Sequence, residues 1–187
     1  KNYPFLKRDS TAPKLLWVRS FSEIYNPKMA LDVLALLKNK GLDASLCMVG
    51  PEKDGSLQAC KQLARNKNLP VRFTGMLSKE AWISLSTTYD IFINTTNFDN
   101  TPVSVIEAMA LGLPVVSTNV GGIPFLLEHD KNALLVPPNN SELFAQAIVE
   151  LVANAEKACF IAKNARDTVE LFDWQKVKHS WNTLLKQ

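Results

Sequence analysis

The sequence predicts an α/β fold, a Rossmann-like doubly wound parallel six-stranded sheet with helices on both faces. Short apolar runs alternate with stretches of helical pattern along almost the whole chain, the rhythm of βα units. Right-handed crossovers between such units make the strands parallel and cover the sheet on both sides. The length of 187 residues suits one domain, which buries about 70% of its unfolded surface.

In chain order, strands are expected at residues 14–18, 45–49, 71–74, 91–93, 115–116 and 133–136. Helices are expected at 27–40, 56–66, 79–88, 102–111, 123–128, 141–153, 156–171 and 174–186. Gly41, Gly50 and Gly55 read as ordinary turn residues. Gly75 and the pair Gly121-Gly122 follow strands, and stand open between turn chemistry and a close backbone approach to a ligand. Residues 1–13 are basic, polar and bounded by Pro13, and begin without Met. They read as an interdomain linker or tail of a longer polypeptide, leaving 14–187 as the domain.

Composition narrows the function classes. A formal charge of +3, from 21 basic and 18 acidic residues, with no dense Lys/Arg run interleaved with aromatics, gives no footprint for nucleic acid. Cys47, Cys60 and Cys159 show neither metal nor redox spacing and are expected as buried free thiols in a reducing cytoplasm. No apolar run approaches a membrane span, and the start is not a signal peptide. Neither Gly-x-Gly-x-x-Gly nor Gly-Lys-Ser/Thr occurs, so a phosphate must be held by helix ends and cations. His129 and His179 stand in no triad-like arrangement, and His129 is expected at a helix end.

The richest stretch runs from Asp90 to Gly122. Asp90-Ile91-Phe92-Ile93-Asn94 suits a buried strand with a polar exit. Thr101 is placed to cap the next helix and Pro102 to open it, which leaves the amides of Val103 and Ser104 free at the positive end for an anion. In this helix only Ser104 and Glu107 are polar, on one stripe, so Glu107 either lies exposed or accepts hydrogen bonds. Gly112 ends the helix. Arg19, just beyond the first strand, is the best placed cation for a diphosphate.

Asp99 through Glu107, Ala108-Met109-Ala110, Gly112, Pro114-Val115-Val116 and Gly121-Gly122 resemble the signature of the GT-B retaining glycosyltransferases of group 1, family-4-like. The family pattern has two Glu separated by seven residues. Here Asp99 takes the first place and Glu107 the second. The likeness covers nearly the whole chain and implies the C-terminal, donor-binding domain of such an enzyme, its N-terminal acceptor domain being absent.

The resemblance implies site residues as well. Glu107 would hold ribose hydroxyls, and Asp99 the donor sugar near its reacting carbon. The backbone of Asn100, Thr101, Pro102 and Val103, with Ser104 next to it, would hold the sugar and distal phosphate. Arg19 would meet the diphosphate, and the backbone of Met76 and Leu77 the base. In the family a Lys, usually followed by Gly, assists that Arg. Tyr25-Asn26 stands there instead, which leaves Lys28 as the nearest substitute. The implied donor is a UDP- or GDP-sugar with no further cofactor, and the implied location is the cytoplasm. Asp99 and Glu107 are expected to flank one hollow. Two other readings share the pattern of elements: a nucleotide-sugar epimerase of the same two-lobed build, and a flavodoxin-like binding module.

Overall fold

The structure is a computed structural model that describes residues 3–185. Six strands form one sheet: β1 (Lys14–Val18), β2 (Ser45–Val49), β3 (Val71–Gly75), β4 (Ile91–Asn94), β5 (Val115–Thr118) and β6 (Leu134–Val136). All pairings are parallel, in the order β3-β2-β1-β4-β5-β6. This is the Rossmann order, which reverses direction between β1 and β4. A flavodoxin-like module orders its strands 2-1-3-4-5, so that alternative fails on topology.

The helices are α1 (Pro27–Asn39), α2 (Ser56–Asn66), α3 (Lys79–Ser86), α4 (Val103–Ala110), α5 (Ile123–Leu126), α6 (Ser141–Ala153), α7 (Ala155–Glu170) and α8 (Trp174–Leu184). Each lies where the pattern puts it, with ends moved by one or two residues; residue 186 of the last expected helix lies outside the described residues.

Strand alternation sorts the apolar side chains into two cores. Leu15, Trp17, Leu46, Met48, Ile91 and Ile93 meet α1, α2 and α6 on one face. Leu16, Cys47, Val49, Phe92 and Val115 meet α3, α4 and α5 on the other. α7 joins them, giving Ala158 and Ile161 to the first core and Ala165 and Val169 to the second. Burial from both sides is why these strands read as unbroken apolar runs. Cys47 and Cys60 are buried and free as expected, but Cys159 is only half-buried. Among the described residues no helix is long and apolar enough to cross a membrane.

One local reading changes. Gly50 is not an ordinary turn residue: a Cβ there would lie 1.7 Å from the Arg19 carbonyl oxygen, so the exits of β1 and β2 touch only because a side chain is missing. Residues 3–13 lie along the domain as a strap; Lys1 and Asn2 fall outside the described residues. Arg8 anchors the strap, donating to the carbonyls of Tyr89 (3.0 Å), Gly112 (2.9 Å), Ser86 (3.1 Å) and Leu6 (3.1 Å). Arg8→Ala is expected to lower stability by about 2–4 kcal/mol, because buried carbonyls lose charged donors. A urea midpoint identical to that of the parent chain would refute this anchoring.

Candidate functional site

Ligands of open α/β sheets bind beyond the carboxyl ends of the strands, where the strand order reverses. Here that point lies between the exits of β1 and β4. The loop after β4 is pinned to its neighbours by hydrogen bonds. Trp17 Nε1 donates to Thr95 Oγ1 (3.1 Å), the Asn97 amide donates to the Ile24 carbonyl (2.8 Å), and Thr118 Oγ1 donates to the Thr96 carbonyl (2.6 Å). Behind the loop the Gly122 amide donates to the Asp99 carbonyl at 2.7 Å. A Cβ on Gly121 or Gly122 would come within 2.2 and 2.1 Å of the carbonyl oxygens of Asp99 and Asn100, so the pair is a backbone rest for the loop that leads into the helix.

The helices that start along this edge differ in how their first amides are satisfied. Asn26 caps α1 through the Met29 amide (3.3 Å), and Ser78 caps α3 through the Ala81 amide (3.2 Å). At α2 the Glu52 carboxylate accepts the amides of Lys53 (2.8 Å), Asp54 (3.1 Å), Gly55 (2.9 Å) and Leu57 (2.9 Å), so this end carries its own anion. α4 has no side-chain cap and no acid in its first turn. The expected cap is corrected here: Pro102, not Thr101, is the capping residue, extended at ψ 112, and its carbonyl accepts the amides of Val105 (3.0 Å) and Ile106 (3.2 Å). Proline lacks an N–H in either position, so sequence pattern alone does not separate the two. Thr101 is exposed, and the amides of Val103 and Ser104 stay without partners among the described residues. Ser104 Oγ is buried there with no hydrogen bond, as is Asn94 Oδ1 at the end of β4.

Arg19 meets this edge but is not a free cation. Its Nη2 pairs with Asp99 Oδ2, and its guanidinium carbon sits 4.0 Å from the Tyr25 ring centre. The pair is a charge contact rather than an aligned hydrogen bond, since Arg19 Nε and Asp99 Oδ2 both lack hydrogen-bond partners. Burial lowers the Arg19 pKa from its ordinary value, while Tyr25 opposes that shift. The Tyr25 ring thus serves as a platform for Arg19.

Glu107 turns elsewhere. Tyr3 Oη donates to its Oε1 at 2.7 Å, and Lys79 Nζ pairs with the same oxygen. The hydrogen bond to Glu107 is the main cause raising the Lys79 pKa, and burial is the first cause raising that of Tyr3. Glu107 also lines a cavity of about 550 Å³ with Ile106, Arg166, Val169 and Phe172, and Asp99 is not among its walls. The expected hollow flanked by both acids is therefore corrected: each carboxylate is held by its own cation. Asp99 precedes α4 and faces the exit of β1, whereas Glu107, one helical turn in, faces the strap and α3.

The other expected residues are dispersed. Lys28 is exposed on a separate cavity of about 530 Å³ lined by Asn26, Ser56, Asn97 and Asn139, with neither Arg19 nor Asp99 in its walls. Met76 is 77% exposed, while Leu77 packs against the core beneath α3 and α4. Asn100 and Val103 are exposed on the loop and first turn. His129 serves a strand rather than a helix end, its Nδ1 accepting the Leu135 amide at 3.0 Å; the His179 side chain lies outside the described residues. Tyr3 and Lys79 are the residues that sequence reasoning missed. Neither carries a local pattern, and only the path of the strap brings them to Glu107.

Topology and a bare helix end at the reversal point define the class of a Rossmann-type lobe. The family of glycosyl transferases group 1 matches residues 12–154, so the chain belongs to that family. Sulfoquinovosyl transferase SQD2 of Arabidopsis thaliana is 31% identical over 110 residues, 57% of this chain and 22% of that protein. The Anabaena protein Alr3699/HepE, solved in complex with UDP, superimposes with a TM-score of 0.85 at 22% identity, covering 94% of this chain and 49% of that one. The C-terminal domain of LpcC, a group 1 glycosyl transferase of Francisella tularensis solved as a separate domain, gives 0.76 at 20% identity, covering 90% of this chain and 93% of that one. The chain thus spans half or less of SQD2 and HepE.

Proposed function

We propose that the chain is the donor-binding half of a retaining glycosyltransferase that moves a sugar from a nucleotide diphosphate sugar to a glycan, lipid or small-molecule acceptor in the cytoplasm. The observation that carries this reading is the start of α4. It is uncapped, with a buried and unpartnered Ser104 hydroxyl, while α1, α2 and α3 satisfy their first amides internally. The amides of Val103 and Ser104 receive the distal phosphate, and Arg19 meets the diphosphate charge as it grows on the leaving group. Asp99 holds sugar hydroxyls near the reacting carbon. Its shorter side chain sets that contact one methylene further back than a Glu would. Glu107 accepts the ribose hydroxyls, and the backbone of Met76 and Leu77 meets the base. HepE, which shares this fold, was solved in complex with UDP, and that supports a nucleotide ligand. An epimerase shares the cleft, and the family match favours transfer over it.

Calorimetric titration of the chain with UDP and GDP tests the reading. Binding of one of them is expected, weakened about tenfold by Glu107→Ala, in line with the loss of a charged hydrogen-bond acceptor. No heat with either nucleotide at millimolar concentration would refute the donor role. The chain alone is expected to transfer no sugar, because the acceptor side of the cleft belongs to the proposed N-terminal half.

A further inference from the structure

Glu107 is held from one side only. Tyr3 Oη and Lys79 Nζ both bind Oε1, and Oε2 receives no bond from any described residue. Oε2 is not among the buried polar atoms that lack a partner, so it reaches the surface, where water or a ligand hydroxyl can donate to it. Placing both donors on Oε1 fixes the rotation of the group and leaves this second oxygen open as an acceptor.

The two donors are themselves fixed. Arg166 Nη1 donates to the Tyr3 carbonyl at 2.8 Å and to the Ala110 carbonyl at 2.6 Å, tying the strap to the last turn of α4. Lys79 is the first residue of α3, immediately after its Ser78 cap, and its Nζ lies 5.9 Å from the centre of the Tyr3 ring. Two separate elements, the strap and α3, therefore converge on a single oxygen atom of α4, and Glu107 retains only 7% of its surface. The wider cavity next to it is lined by Ile106, Ala110, Val169 and Phe172 together with Arg166 and Lys176, so a ligand hydroxyl reaching Glu107 lies at the edge of a partly apolar hollow.

We propose that Tyr3 and Lys79 are positioning residues for the nucleoside end of the donor: by occupying Oε1 they present Oε2 of Glu107 to the vicinal hydroxyls of ribose. The inference rests on the reading of Glu107 as the ribose ligand. A ribose hydroxyl donates to the open oxygen without displacing either protein donor, so the carboxylate is paired before and after binding. Holding it in one orientation lowers the ordering cost of that contact, the usual route by which preorganisation raises affinity.

The experiment compares UDP with 2′,3′-dideoxy-UDP, and GDP with its dideoxy form, by calorimetry on the 187-residue chain and on Tyr3→Phe, Lys79→Met and Lys79→Arg. The parent chain is expected to prefer the ribose form at least tenfold. Tyr3→Phe and Lys79→Met are expected to reduce that preference three- to tenfold while leaving affinity for the dideoxy form unchanged, and Lys79→Arg to restore most of it. A purely structural role predicts instead that both forms weaken together. A parent chain that binds neither UDP nor GDP overturns the donor reading and this inference with it. A parent chain that binds with a ribose preference which Tyr3→Phe and Lys79→Met retain in full overturns the inference alone. Equal binding of ribose and dideoxy forms by the parent also overturns it.

Discussion

Gly122→Ala is expected to abolish nucleotide binding and to cost about 1–3 kcal/mol or more of stability, the range for forcing atoms into a packed site. At Gly122 φ is −85°, a conformation alanine adopts freely, so the whole effect comes from crowding. The added Cβ would lie 2.1 Å from the Asn100 carbonyl oxygen and 2.8 Å from the Asn100 carbonyl carbon and Cα. These are backbone atoms and have no rotamer through which to escape. The peptide between Asn100 and Thr101 must move, and with it the neighbouring Asp99 and the approach to the amides of Val103 and Ser104. A displacement near 1 Å at positioning groups is enough to cost about a hundredfold in a reaction that depends on alignment. Gly55→Ala supplies the contrast: φ is +90° but nothing lies within 4 Å of the added carbon, so it should cost only the strain of that backbone conformation and leave affinity intact. Thermal melts and UDP or GDP titration of both variants check the pair. Full affinity in Gly122→Ala would mean that the loop before α4 takes no part in binding.

The contrast between these glycines shows which parts of the molecule could be read from the chain. Apart from β3, an edge strand with no buried residue, the strands were legible because both faces are covered, so each is a short apolar run in which a polar residue stands out, such as Asn94 at the exit of β4. Glu107 was legible for the same reason, as an acid in a helix that is otherwise nearly all apolar, for which burial requires a partner. Its actual partners were not legible. Tyr3 is 104 positions away, in a segment whose basic and proline-bounded composition reads as a linker. Lys79 looks like any exposed lysine at the start of a helix.

The same limit applies to Gly50, whose need for a missing side chain arises from the exit of another strand. It applies also to Tyr25, where the departure from the family's Lys was visible but its stacking on Arg19 was not. Sequence spacing reports periodicity within an element. It carries little about which side chains from different elements share a partner, and the charge pairs of Asp99 and Glu107 are settled at that level.

Opposite responses to mutation are expected from the two halves of the pair between Arg19 and Asp99. Both side chains are largely buried, at 14% and 13% exposure, so in the unliganded chain Asp99 supplies the negative charge that a diphosphate would bring. In the proposed site Asp99 and the diphosphate therefore compete for one guanidinium, which the Tyr25 ring holds in place at 4.0 Å. Arg19→Met is expected to weaken UDP or GDP binding by about ten- to a hundredfold, since charged hydrogen bonds contribute about 1.5–3 kcal/mol. It also leaves Asp99 buried without a counter-charge, so stability falls as well. Asp99→Asn removes the competitor and leaves the cation in place. Binding of the free diphosphate nucleotide should then tighten about three- to tenfold, although the protein itself loses an ion pair and melts at a lower temperature. The same variant should bind the corresponding nucleotide sugar with less advantage over the bare nucleotide, because the carboxylate proposed to hold the sugar hydroxyls is gone. A merely structural ion pair predicts a different pattern, in which both substitutions lower stability and neither tightens binding. Calorimetry with the diphosphate and with the nucleotide sugar, on each single variant and on the Arg19→Met/Asp99→Asn double variant, separates the two. If Asp99→Asn weakens the bare diphosphate as strongly as Arg19→Met does, the guanidinium is not shared between the protein's own acid and the ligand.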